Sequence, residues 1–144
     1  KIIVLIRGST HLGQNKEKKM RILCGTDIIE IDRIRKSIEK NGDKFLNSVY
    51  TAKEIEYCEG RKNAKYNHYA GRFAAKEAIY KAISQLLPEK FGISWKDVQV
   101  VNDENGNPKI EFLNITFNQI KSTDISISHC QEYAVAMVTL IVDE

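Results

Sequence analysis

Hydrophobic positions change their spacing several times along the chain, and each change marks an element. The run RILCGTDII at 21–29 is dense in β-branched and apolar side chains and reads as a strand with Gly25 near its end. Asp32 then stands where it can cap a helix whose Ile34 and Ile38 share one face, closed by Asn41-Gly42. TAKE at 51–54 has the form of a capping box opening a second helix. A third and longer helix is predicted from about Lys65 to Leu87, ended by Pro88. Residues 97–102 (DVQVVN) and 109–113 (KIEFL) read as strands joined by DENGNP, which carries an Asn-Gly hairpin signal. Residues 114–122 are predicted as a short helix, and 124–129 with 133–142 as a second hairpin that turns at CQE. The order β-α-α-α-β-β-α-β-β is that of an α+β domain, with a largely antiparallel sheet packed against a long helix.

Composition narrows the class. The chain has 144 residues, enough for one modest core, and its 42% hydrophobic and 28% charged content excludes disordered and fibrous classes. A net charge of +3 points only weakly to a polyanionic partner. Three cysteines at wide spacing argue against a disulfide framework or a zinc cluster and fit a reduced cytoplasm. No apolar run approaches the ~20 residues that span a bilayer, so no membrane partner is expected. The opening KIIVLIRGSTHLGQNKEKK reads unlike the rest. Its IIVLI is shorter than a signal-peptide core and no small-residue cleavage site follows, so residues 1–19 are expected to be a non-native leader before one domain over 20–144.

Candidate chemistry concentrates in AGRFAAKEAIYKAI at 70–83. Phe73, Glu77 and Lys81 are spaced by four and share one side of the helix, while Gly71 and the alanines clear bulk around it. The plain reading of Glu77 is a surface pair with Lys81, worth ~0.2–0.5 kcal/mol. Asp27, at the end of the first strand, either caps a turn or points into a site. Should the two carboxylates converge, they form a site for a hard cation, since magnesium usually takes one or two carboxylates with waters and substrate phosphate. Arg72, Lys76 and Lys81 then supply positive charge for that phosphate, against the alternative of a solvated helix face. His129 closes ISISH as a general base, a phosphate donor or a structural residue. No cysteine has a histidine close in sequence in support of thiol nucleophilic catalysis.

Taken together, GTDIIEIDRI at 25–34, TAKE at 51–54, GRFAAKEAIYKA at 71–82, WKDVQVVNDENGNP at 95–108 and SISHCQEYAVAMV at 126–138 resemble the holo-[acyl-carrier-protein] synthases, small single-copy 4′-phosphopantetheinyl transferases. The segments run in that family's order across nearly everything from Met20 onward. The resemblance implies transfer of the phosphopantetheine arm of coenzyme A to a serine of apo acyl carrier protein in support of fatty acid synthesis, with release of adenosine 3′,5′-bisphosphate. It implies that Asp27 and Glu77 hold Mg2+, that Lys81 meets the pyrophosphate and acts with them in catalysis, and that Arg72 and His129 contact the coenzyme. It also implies carrier docking at Arg33, which the periodicity turns outward together with Lys36 and Lys40, and a homotrimer with coenzyme sites between subunits. Two departures stand out: ISQLLPEKFG at 83–92 replaces the family's Gly-Thr-Gly turn, and Ser48 stands where a basic residue is common. The resemblance does not identify the base that takes the serine proton. The larger, two-copy transferases are disfavoured by length. An RNA-binding module is disfavoured because no RNP-like strand or KH loop is present.

Overall fold

Three strands, β1 (Met20–Glu30), β4 (Ile120–His129) and β5 (Tyr133–Asp143), form an antiparallel sheet in the order β1-β5-β4. The computed structural model describes residues 18–88 and 92–143, so the leader expected over 1–19 lies, up to residue 17, outside the described residues. Along β5 the alternation is strict: Ala134, Ala136, Val138, Leu140 and Val142 are buried on one face. Against that face lies α4 (Lys65–Ile83). Its Ala70, Ala74, Ala75, Ala78 and Ala82 have no exposed surface, so small side chains let the sheet on one side and α1, α3 and β2 elsewhere come close to the helix. Gly25 marks the tightest point, because a Cβ there would stand 1.9 Å from the Ala78 carbonyl oxygen. A second, two-stranded sheet pairs β2 (Val98–Asn102) with β3 (Pro108–Phe112) across the Asn-Gly turn, where Gly106 takes φ +82°. The expected α+β architecture is therefore present, and its buried apolar residues form one cluster. Among the described residues no helix is long and apolar enough to cross a membrane.

Three helices cover the approach to α4: α1 (Ile31–Asn41), α2 (Asp43–Val49) and α3 (Ala52–Glu59). Ile34 and Ile38 are buried as the periodicity predicts, and Gly42 closes α1 at φ +52°. Asp32 does not cap this helix. β1 runs straight into α1, which begins at Ile31, and Asp32 sits in its first turn bonded to Arg35 and Lys36. The capping box of α3 forms as expected, with the Thr51 side chain accepting the Glu54 N–H and the Glu54 carboxylate accepting the Thr51 N–H.

Four details differ from the sequence reading. β1 continues to Glu30, so Gly25 lies mid-strand and Asp27 is paired with Ala136 inside the ladder instead of standing at the strand's end. The seven-residue helix α2 went unpredicted, being too short to show a periodicity. α4 ends at Ile83, ahead of Pro88, and tightens into a 3-10 turn at Ser84–Leu86, where the Ser84 hydroxyl donates to the Lys81 carbonyl at 2.8 Å. The helix expected over 114–122 is absent: Phe117 folds back edge-on against Phe112 with centroids 5.3 Å apart, and β4 has begun by Ile120. Tertiary contact wins over local propensity at that point.

Candidate functional site

Along β1, Leu23, Gly25, Asp27 and Ile29 take the inward positions, so the close contact at Gly25 delivers Asp27, two residues on, to the side of α4. Lys81 reaches across from α4, its Nζ donating to Asp27 Oδ1 and to the Thr26 carbonyl, both at 2.9 Å. The i,i+4 pair of Glu77 with Lys81 is therefore not the arrangement adopted. Glu77, half-buried, lies one turn before Lys81, and burial followed by the charge of Asp27 raises its pKa, with Lys81 partly offsetting both. Two carboxylates from two elements thus share the field of one half-exposed ammonium. This hard-oxygen set suits Mg2+, which needs few protein ligands and takes the rest from water and phosphate. Among the described residues no cluster of three or more His, Cys, Asp or Glu side chains competes with it.

Lys76 does not join this group. It is fully buried, and its three donors are taken by Glu54 Oε2 at 2.7 Å, the Val49 carbonyl at 2.7 Å and the Trp95 carbonyl at 2.8 Å. Glu54 Oε1 in turn accepts the Val100 N–H at 2.8 Å, so the pair ties α3, α4 and β2 together. The phosphate role expected of Lys76 is excluded by this coordination.

Arg72 and His129 come together elsewhere. Arg72 is 3% exposed; Nη2 donates to Asn102 Oδ1 at 2.6 Å, and the guanidinium lies over Tyr57 at 3.8 Å from the ring centroid. Arg61 lies over the same ring at 4.4 Å. The Nε of Arg72 is buried with no hydrogen-bond partner. His129 at the end of β4 meets His68 edge-on at 5.8 Å, and His68 meets Tyr57 at 5.5 Å. Tyr57, His68, Arg72 and His129 border a cavity of about 150 Å³ that Asn102 and Gly106 also line. Neither Tyr57 nor His68 was marked by the sequence, although His68 stands four residues before Arg72 and so shares its helix face. The expected site residues therefore form two groups. α4 crosses the sheet from β4, where a Cβ on Gly71 would stand 3.0 Å from Ile127, to β1 at Ala78, and β5 separates the two edges by about 10 Å.

This geometry meets a matching family. The sequence model of the 4′-phosphopantetheinyl transferase superfamily matches residues 23–138. The chain belongs to that superfamily. It is 41% identical over 126 residues to the holo-[acyl-carrier-protein] synthase of Ruminiclostridium cellulolyticum, covering 84% of this chain and 92% of the relative. It is 46% identical over 119 residues to that of Protochlamydia amoebophila, covering 81% and 95%. A crystal structure of the Bacillus anthracis holo-(acyl-carrier-protein) synthase in complex with CoA (3′,5′-ADP) superposes with a TM-score of 0.69 at 37% identity, covering 86% of this chain and 99% of that one.

Within this transferase fold, the outer side of α1 carries Arg33, Lys36 and Lys40, all exposed, with Lys36 Nζ 2.6 Å from Asp32. Ser48 is exposed and donates to the Phe45 carbonyl at 2.8 Å, so it adds no charge to that surface. In place of the Gly-Thr-Gly turn, the Ser84–Leu86 turn is tied to β1 by a hydrogen bond from Arg21 to Gln85.

Proposed function

We propose that this chain is a cytoplasmic holo-[acyl-carrier-protein] synthase that moves the 4′-phosphopantetheine arm of coenzyme A onto a serine of apo acyl carrier protein. The serine oxygen forms a new bond to the phosphorus bearing the pantetheine arm, the pyrophosphate P–O bond breaks, and adenosine 3′,5′-bisphosphate leaves. The observation that carries this reading is the convergence of Asp27, Glu77 and Lys81 at the contact between β1 and α4. Asp27 and Glu77 would hold Mg2+, which when bound neutralises charge on the pyrophosphate oxygens. Lys81 orients Asp27 and presents an ammonium to the leaving phosphate, where preorganised positive charge lowers the barrier. Arg72 and His129 bind the rest of the coenzyme, and Arg33 with Lys36 meets the acidic carrier. The name of the Bacillus anthracis neighbour, which holds the coenzyme, supports the same assignment.

The functional unit in this reading is a homotrimer with each coenzyme between two subunits. Two observations support it. The two groups of site residues sit at opposite edges of the sheet, which a head-to-tail contact between copies would join. The outward face of the sheet carries Ile22, Ile28, Val135 and Met137 exposed, a surface that association would cover. The transferase domain in this reading begins at β1, and Lys18 just ahead of it makes an ion pair with Asp143. Mass spectrometry of apo acyl carrier protein incubated with this protein, coenzyme A and Mg2+ tests the reading. A mass gain equal to the phosphopantetheine arm is expected, and an unmodified carrier at high enzyme concentration would refute it.

A further inference from the structure

Lys81 has two duties in the transferase reading, orienting Asp27 and meeting the leaving phosphate, and a single ammonium cannot be fully committed to both. Its Nζ spends two of three donors at β1, on Asp27 Oδ1 and on the Thr26 carbonyl, each at 2.9 Å. That contact lies where the reading above puts Mg2+. A carboxylate oxygen engaged by an ammonium is a weakened ligand for a dication, and the two cations repel across it. The lysine is able to move. Its side chain is 54% exposed against 16% for Asp27, and an ion pair whose cation sits half in water on a flexible stem costs little to break. Lys76, five residues earlier on the same helix, shows the contrast: it is fully buried with all three donors satisfied. Glu77 feels the charges of Asp27 and Lys81 with opposite sign, so a shift of the ammonium alters both expected metal ligands together.

We propose that Lys81 couples coenzyme binding to metal binding: it neutralises Asp27 as a built-in counter-ion until the pyrophosphate of coenzyme A draws its ammonium away, and this handover opens Asp27 to Mg2+. The proposal rests on the transferase reading above and puts the two duties of Lys81 in succession. The substrate thereby prepares its own metal site. Coenzyme and cation then bind with positive coupling, and each raises the affinity of the other by the same factor. Part of that factor is the direct attraction between Mg2+ and pyrophosphate, which does not depend on the lysine. The rest is the release of Asp27, which does. A lysine that stayed on Asp27 throughout would weaken Mg2+ equally with and without coenzyme, by charge repulsion alone. One that moves weakens Mg2+ only where coenzyme is not bound, and this difference separates the handover from a fixed positive charge.

The test is isothermal titration calorimetry of Mg2+ into the protein, alone and saturated with coenzyme A, with no carrier present so that no transfer occurs. Titration of coenzyme A in EDTA and in excess Mg2+ gives the same coupling factor independently. Lys81→Met and Lys81→Gln, each shown to be folded by circular dichroism, are compared with the unaltered protein. In both variants the Mg2+ affinity of the protein alone should rise about tenfold, while that of the coenzyme complex should stay within about threefold of the unaltered value. The coupling factor should fall accordingly, from a starting value within the ~5–150-fold usual for coupled sites. Binding of Mg2+ by coenzyme A itself is common to all three proteins and cancels between them. An equal rise in the two states, or no rise in the protein alone, in either variant would overturn the proposal. So would coenzyme binding by the unaltered protein that is indifferent to Mg2+, which leaves the transferase reading standing. Failure of the unaltered protein to bind coenzyme A at all would bring down both.

Discussion

Glu77 holds a carboxyl that its surroundings disfavour as an anion, through burial first and the charge of Asp27 second. A raised pKa means the native state keeps its proton more tightly than the unfolded chain, so stability falls as pH rises from the ordinary 4.5 through the raised value. Glu77→Gln should therefore melt higher than the unaltered protein at about pH 8 without metal, and the difference should vanish near pH 4, where the native carboxyl is already neutral. The same variant should lose transfer activity and any rise in melting temperature with Mg2+. A lower melting temperature at neutral pH would show that the carboxylate makes a stabilising contact instead. Lys76 is the opposite case. Its Nζ is spent on Glu54 and two carbonyls with no exposed surface on either side chain, so Lys76→Met strands a buried carboxylate. That variant should lose ~3–5 kcal/mol in urea unfolding while its folded fraction binds coenzyme A as before. A loss of coenzyme affinity with intact stability would restore the phosphate role.

At the scale of elements, the contact between β1 and α4 is what turns residues fifty positions apart into one site, 77 − 27 = 50. Gly25→Ala would force a Cβ to within 1.9 Å of the Ala78 oxygen, where helix backbone cannot yield without moving Asp27 away from Glu77. A stability loss on the order of 3 kcal/mol is expected, together with a fall in kcat, read by urea unfolding and single-turnover assay. The stripe of alanines on α4 was legible in sequence because a run of small residues announces a close approach, whereas Gly25 read only as a strand end and its contact with Ala78 comes from the packing of β1 on α4. α2 and the turn around Phe117 were not legible either, since a seven-residue helix shows no full period and the Phe112–Phe117 contact depends on a partner distant from the local pattern. The early end of α4 escaped notice because Pro88 offered a stronger stop signal than Ser84. α1 was read correctly on its core face, and its outer face gives a kinetic prediction. Arg33→Glu should raise KM for the carrier, leave coenzyme A binding unchanged and flatten the decline of rate with salt. Unchanged carrier kinetics at low ionic strength would move the docking surface elsewhere.

For the whole molecule, the division of the site across the sheet matters more than any single contact. Sequence spacing alone joins Arg72 to Glu77, five residues apart on one helix; what separates them is the strand order β1-β5-β4, which no local pattern encodes. The exposed apolar face, with Ile22 at 64% and Ile28 at 62%, was likewise hidden in an alternation that reads as an ordinary buried strand. If one subunit's Asp27 group meets the next subunit's Arg72 group, two inactive variants should repair each other. Asp27→Ala and Arg72→Gln, each folded by circular dichroism and each inactive alone, are unfolded together and refolded as an equal mixture. In a random cyclic assembly a site works only when one neighbour lends an intact Asp27 and the next an intact Arg72, so about a quarter of the unaltered activity should return. Adding Met137→Asp to both variants should dissociate the assembly by burying charge in the sheet face, and the recovery should disappear with it. Mixed assemblies that form by native mass spectrometry yet stay inactive would mean that each subunit builds its site alone, and the separation of the two groups across β5 would then have to be bridged by a single coenzyme within one chain.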